Sequence, residues 1–180
     1  MALEKQLIHV EQFEQMLQHP DHQGRLLELI HGAVEEKLPS ERHGEIAVNI
    51  SAEIRAYLRK NRIGRVSVEA RFKADELNSR LPDVAFRQTD GKAVESGAVQ
   101  GMPTLAIEIK SPDDSNAKLR EKAAYYLANG AKLVWLVFPE IQVVEVFTPD
   151  NSVFYGADDT LSGGEVLPGF SLKVADIFED

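Results

Sequence analysis

Three residues raise the question of function: Asp83, Glu108 and Lys110. Glu108 and Lys110 stand two apart in LAIEIK, Leu105 to Lys110, an apolar run of strand length. In a strand both side chains leave the same face, and Ile107 and Ile109 point the other way, into a core. Asp83 follows Pro82 at the head of LPDVAF, a second strand candidate. If the two strands are neighbours, Asp83 approaches Glu108. Two carboxylates a few ångströms apart make a hard, all-oxygen site suited to Mg²⁺ or Mn²⁺. Such an ion polarises a phosphoryl oxygen, lowers the pKa of a bound water and orients it for in-line attack. An adjacent lysine can stabilise the developing negative charge. The same D…ExK spacing also suits an ion pair on an exposed strand.

The surrounding chain predicts the elements that would position these groups. Val10 to Gln18 reads as a short amphipathic helix, ended by His19-Pro20-Asp21. Arg25 to Ile30 and Ala33 to Leu38 flank His31-Gly32 as a hairpin. A long helix is expected over Glu45 to Lys60, with Ile46, Ile50, Ile54, Tyr57 and Leu58 at helical spacing. Val66 to Lys73 and Leu81 to Phe86 read as strands. A second long helix, Asn116 to Asn129, carries the stripe Leu119, Ala123, Tyr126 and Leu127, with Ser115 or Asn116 as cap and Gly130 just beyond. Strands follow at Leu133 to Phe138 and Val143 to Phe147, then a turn-rich tail closing on LKVADIF. A helix between strands 105–110 and 133–138 is a β-α-β unit, so those strands should be parallel. The expected class is α/β, a mixed sheet flanked by helices with an N-terminal helix-hairpin extension. No glycine-rich phosphate loop follows a strand.

Composition bounds the reading. The chain has 180 residues, 27% of them charged and 43% hydrophobic, which suits a single domain over 1–180. With no cysteine, a disulfide scaffold, a thiolate metal site and a cysteine nucleophile are excluded. The start, MALEKQLIHVEQFEQ, has charges where a signal peptide needs an apolar core, and no apolar run nears the ~20 residues of a membrane span. A cytoplasmic protein is expected, with no membrane partner. The net charge is −9, but Pro139 to Asp180 holds nine acidic residues against Lys173 alone. Arg55 to Lys73 holds seven basic residues against Glu69. The balance is not that of a cationic nucleic-acid binder, yet this stretch could meet phosphates or be a solvated helix face. The acidic tail should lie away from a polyanionic substrate.

Asp83 in PD, followed by Glu108-Ile109-Lys110, resembles the PD-(D/E)XK nuclease motif. More specifically, LLELIHGAV, RHGEI, LPDVAF, LAIEIKSPDDS, LREKAAYYLANGAKLVWLVFPE and LSGGEVLPGFSLKVADIF resemble, in order and over nearly the whole chain, the Uma-type restriction-endonuclease family, a domain of unknown function. The resemblance implies a restriction-endonuclease-like core and divalent-metal hydrolysis of DNA. Asp83 and Glu108 would be metal ligands and Lys110 the catalytic lysine, with Mg²⁺ or Mn²⁺ as cofactor. Glu45, in the first turn of the long helix, matches where such nucleases sometimes place an extra acid; it also suits the helix dipole. His43 resembles the family's His-Gly pair, and Glu28 a family glutamate that metal ligation or an ion pair would satisfy. Lys122 in the second helix could point at the site or pair with a neighbour, the latter being expected, and Trp135 reads as core. His9, His19, His22 and His31 lack ligand spacing. The alternatives are a non-catalytic nucleic-acid- or protein-binding module and a hydrolase of smaller phosphate esters. Duplex cleavage would suit a homodimer. A nuclease should show a groove from the 55–73 stretch to Asp83.

Overall fold

Apolar alternation and helical stripes resolve, in the computed structural model, into two mixed sheets, a short two-stranded sheet and four helices over the described residues 7–179. The signal-peptide expectation bears in part on residues 1–6, which lie outside them. In chain order the elements are α1 (Val10–Leu17), β1 (Leu26–Ile30), β2 (Ala33–Lys37), α2 (Glu41–Lys60), β3 (Gly64–Val68), β4 (Phe72–Asp75), β5 (Asn78–Arg80), β6 (Val84–Gln88) and β7 (Val99–Gln100). There follow β8 (Leu105–Ile109), α3 (Asn116–Ala128), β9 (Leu133–Phe138), β10 (Val143–Phe147), β11 (Ser152–Tyr155), β12 (Thr160–Ser162), β13 (Ser171–Lys173) and α4 (Val174–Ile177). Among the described residues, no helix is long and apolar enough to cross a membrane.

The larger sheet runs β11-β10-β9-β8-β6-β3. As the β-α-β spacing requires, β8 and β9 are parallel and α3 makes the crossover. The two faces are buried by different helices. Ile46, Ile50, Ile54 and Leu58 of α2 pack against Val84, Phe86, Ile107, Ile109 and Trp135, and the tail closes this core with Leu161, Leu167, Phe170 and Ile177. Leu119, Ala123 and Tyr126 of α3 pack on Ala106, Val134 and Leu136. Alternation along β8 therefore sends Ile107 and Ile109 toward α2 and Glu108 toward α3.

Three elements differ from the pattern expected of the sequence. The long helix begins at Glu41, because Ser40 caps it by accepting a hydrogen bond from the His43 N–H. This moves His43 into the first turn. The expected strand Val66 to Lys73 splits at Glu69, which adopts a left-handed φ of 48° and sends β3 and β4 into different sheets. Asn78–Arg80, not recognisable as a strand by alternation, forms β5. It carries the hairpin into a sheet ordered β2-β1-β5-β4-β7, so the hairpin is an integral edge rather than an extension. At Gly64, a Cβ would meet the Arg87 carbonyl oxygen at 2.3 Å, so β3 can lie this close to β6 only with glycine there.

Ile50 is fully buried between α2 and the sheet, whereas Val48 on the same helix is 62% exposed. Ile50→Ala should cost about 2–5 kcal/mol through lost burial and a residual cavity, and Val48→Ser less than about 0.5 kcal/mol. Urea denaturation of the two variants checks the assignment of the α2 faces; equal losses would contradict it.

Candidate active site

Six segments deliver side chains to one place between the N-terminal turn of α2 and the flank of α3. In the antiparallel pairing of β6 with β8, Val84 lies opposite Ile107, which sets Asp83 beside Glu108. The hairpin contributes Glu28 from β1 and Lys37 from the end of β2. The first turn of α2 contributes His43. One turn apart on α3, Lys122 and Tyr126 face the same point, as i,i+4 spacing dictates.

The contacts form a continuous network. The Lys37 ammonium donates to Asp83 Oδ1 at 2.5 Å, to Glu108 Oε2 at 3.3 Å and to the Leu81 carbonyl at 2.9 Å. Asp83 Oδ1 also lies 3.2 Å from His43 Nε2, and its Oδ2 accepts from the Ile109 N–H at 2.6 Å. Glu108 accepts from the Tyr126 hydroxyl at 2.6 Å on Oε1 and from the Lys122 ammonium at 3.2 Å on Oε2. Lys122 reaches on to Glu28 Oε1 at 2.7 Å. Ser111 Oγ stands 3.4 Å from His43 Nδ1. The carboxylates are almost withdrawn from water: Glu28 is 1% exposed, Asp83 4% and Glu108 3%. A cavity of about 150 Å³ opens beside them, lined by Glu28, Lys37, Ser111 and Lys122 among others.

Burial and charge compete at each group. Burial pushes the Asp83 carboxyl up, but Lys37, His43 and the Ile109 N–H outweigh it and hold its pKa well below the ordinary carboxylate value. Burial pulls Lys37 down, yet Glu108, Asp83 and Glu28 together raise it above an ordinary lysine. Lys122 behaves alike: burial lowers it, and Glu108 and Glu28 more than compensate. Burial, then the negative Glu108, raises the Tyr126 phenol far above its usual value. At neutral pH the site thus holds a charged Asp83, two ammonium groups and a protonated phenol donor.

The expected residues are distributed unevenly. Asp83, Glu108, His43 and Glu28 meet here. Lys110, just past β8, turns its ammonium to Glu140 at 3.0 Å, an acid of the C-terminal tail. Glu45 pairs with Arg42 at 3.2 Å and is half exposed. Lys37, Lys122 and Tyr126 carry the contacts that the motif alone does not show. Lys122 sits on the buried stripe of α3, between Leu119 and Tyr126, and a lysine on an apolar stripe is the signal that marks it. Nothing local marks Lys37, which reads as the last residue of a polar hairpin strand. Among the described residues, no three His, Cys, Asp or Glu side chains are arranged to hold a metal ion. The donor set still suits a hard cation: Mg²⁺ keeps several waters and needs one or two carboxylates, and Asp83 and Glu108 already share one cationic group.

The model of the Uma2 family, described as putative restriction endonuclease, matches residues 10–175. Among solved structures, this chain is similar to a putative nuclease belonging to DUF820 from Anabaena variabilis ATCC 29413, with a TM-score of 0.80 at 23% sequence identity. The likeness covers 95% of this chain and 97% of that one, and it is a likeness of fold. No curated protein matches.

Removing one cation from this network leaves buried carboxylates without a partner. Lys37→Met should therefore cost about 3–5 kcal/mol, whereas Lys110→Met, which leaves only the exposed Glu140 without its partner, should cost less. The sign of the pH dependence follows from the shifts. A depressed Asp83 stabilises the fold above the unfolded carboxyl pKa of about 4 and loses this as pH falls toward its folded value. A raised Lys37 stabilises below about 10.4 and loses this as pH rises through its folded value. Chemical denaturation across pH should show a plateau from roughly 5 to 9, with the acid-side fall diminished in Asp83→Asn.

Proposed function

Because the chain belongs to the Uma2 family of putative restriction endonucleases, we propose that it hydrolyses DNA phosphodiester bonds with Mg²⁺ or Mn²⁺ held by Asp83 and Glu108. The observation that carries this reading is the buried carboxylate pair sharing a single ammonium. Two such groups brought together are costly unless a cation is to sit with them. The bound ion would polarise the phosphoryl oxygen and supply a hydroxide-like water.

The chain's own residues do the positioning. The Ile109 N–H and His43 fix the orientation of Asp83. Tyr126 and Lys122 fix Glu108, so both oxygen donors are preorganised. Lys37, which now bridges the two carboxylates, would have to yield them to an ion, and its ammonium would then be available to stabilise negative charge. Two lysines compete for the role of acting on the water or on transition-state charge. Lys110 has the motif spacing; Lys122 has the contact with Glu108. We assign the role to Lys122, whose ammonium stands at the carboxylate, and leave Lys110 with Glu140 at the rim. His43 is a positioning residue for Asp83, and Glu28 one for Lys122. Glu45 takes no part.

The test uses purified wild type and variants on supercoiled and single-stranded DNA with each metal. Wild type should cut with metal and lose activity in EDTA. Asp83→Asn should lose both cleavage and calorimetric metal binding. Lys122→Gln should lower turnover at least ~100-fold, the scale of a lost charge-stabilising group, with metal still bound, and Lys110→Ala should lower it far less. The reverse order of the two lysines would return the role to Lys110. No Asp83-dependent cleavage and no Asp83-dependent metal site would leave the non-catalytic binding module, in which the Lys37 bridge is a permanent structural pair.

A further inference from the structure

Arg55, Arg59, Arg62 and Arg65 line one cavity of about 390 Å³, where Asp90 is the acidic lining residue. A neighbouring cavity of about 180 Å³ shares Arg55 and Arg65 and adds Arg87. Arg65 donates to the Gly91 carbonyl at 2.9 Å and Arg87 to that of Lys92. Arg55, Arg59 and Arg62 have no hydrogen bond or ion pair with any described residue. In a chain of net charge −9, acids to neutralise them are plentiful, yet Asp90 is the one acid lining this cavity and it forms no ion pair with them. Like charges held together without partners cost stability, and arginine is the cation whose planar fork fits phosphate oxygens.

The cluster is remote from the carboxylates. Gly64 pairs with Gln88 and Val68 with Val84, so Arg65 lies at the end of β6 opposite Asp83. Along α2, Arg55 comes twelve residues after His43, ~18 Å at 1.5 Å per residue. On the helical wheel, Gly44, Val48, Ser51 and Ala52 fall on the flank that ends in Arg55 and Arg59, with Glu41 and the Arg42-paired Glu45 at its other end. The acidic tail occupies another flank, where Asn49 donates to the Ile177 carbonyl and Tyr57 to that of Pro168. Neither arginine-lined cavity includes Asp83 or Glu108, so the expected groove joining this stretch to Asp83 is not found among the described residues.

We propose that the arginine cluster is a second nucleic-acid contact: an anchor for the phosphodiester backbone of a strand that also reaches the carboxylate site. It rests on the nuclease reading for its ligand, but not on catalysis. The span of ~18 Å corresponds to roughly five phosphates of one duplex strand at 3.4 Å each.

The test is binding in EDTA, where no metal-dependent cleavage occurs. Fluorescein-labelled duplex and single-stranded oligonucleotides are titrated with wild type, Lys173→Gln, the triple variant Arg55→Gln/Arg59→Gln/Arg62→Gln and its charge-retaining counterpart with lysine. The exposed positions should leave the melting temperature of the triple variant unchanged. Expected is at least ~10-fold weaker DNA binding by the glutamine variant, with the slope of log K against log salt reduced by about 2–3, near one for each phosphate that is no longer neutralised. The lysine variant should retain most of the slope, and Lys173→Gln, which removes an exposed cation outside the cluster, should bind as wild type does. Equal affinity and slope for wild type and the glutamine variant would overturn the anchor, as would absence of DNA binding by wild type or equal binding of polyglutamate. Loss of binding in the glutamine variant beside a wild type that binds but never cleaves would keep the anchor and sink the nuclease.

Discussion

Three carboxylates nearly cut off from water cannot stay charged without partners, and the fold around Glu28, Asp83 and Glu108 is organised by that constraint. Lys37 and Lys122 supply the positive charge, one from the hairpin and one from α3. Because each ammonium touches two acids, the pairs cannot be separated into independent bridges. Glu108 belongs to both, and Tyr126 takes its remaining oxygen. The network therefore ties β1, β2, β8 and α3 to the segment entering β6. The two mixed sheets meet here through side chains: Glu28 and Lys37 come from one, Glu108 from the other.

Lys37 and Lys122 touch these three carboxylates directly, His43 adjoins Asp83, and the Arg71 guanidinium acts on Glu28 from farther off. An arrangement selected purely for stability would do better with apolar residues of similar volume, since buried ion pairs barely offset their desolvation. The network instead preorganises oxygen donors in fixed positions, and such rigidity is what a site for a hard cation and a phosphate requires. The lysines make this tolerable in the metal-free protein, because they shield the acids from one another's repulsion until another cation competes for them.

Much of this was legible in residue order. The β8-α3-β9 unit follows from an apolar run, a capped amphipathic helix and a second apolar run, and the parallel pairing follows from connection length. Asp83 and Glu108 stand out because strand alternation puts acids beside buried isoleucines. The family resemblance and the mixed α/β class are borne out by the family match and the shared fold. What residue order did not show is long-range. Lys37 lies 46 residues from Asp83 and 71 from Glu108, and nothing near it announces a buried destination. Lys110 illustrates the converse. Its spacing from Glu108 promises a shared face, but β8 ends at Ile109, and beyond a strand's last residue alternation no longer governs direction. Ser40 starts α2 earlier than its apolar stripe suggests, because a cap acts through one hydroxyl rather than through periodicity.

Net charge is the poorest guide of all, because it averages over a separated field. Of the tail's acids, Glu140 pairs with Lys110 and Glu145 with Arg120, while the later segment is docked at Pro168 and Ile177 by Tyr57 and Asn49 against one flank of α2. The arginines gather where α2 ends and β3 begins, at the end of the helix away from His43. A polyanion nearing this molecule meets repulsion from one side of α2 and attraction at its far end. Screening confines each effect to roughly 8 Å in physiological salt, so the two do not cancel over the ~18 Å that separates the arginines from the site. Short range is what lets an acidic protein keep a phosphate-binding surface: the field at a surface is set by the charges within a Debye length of it, not by their sum over the chain.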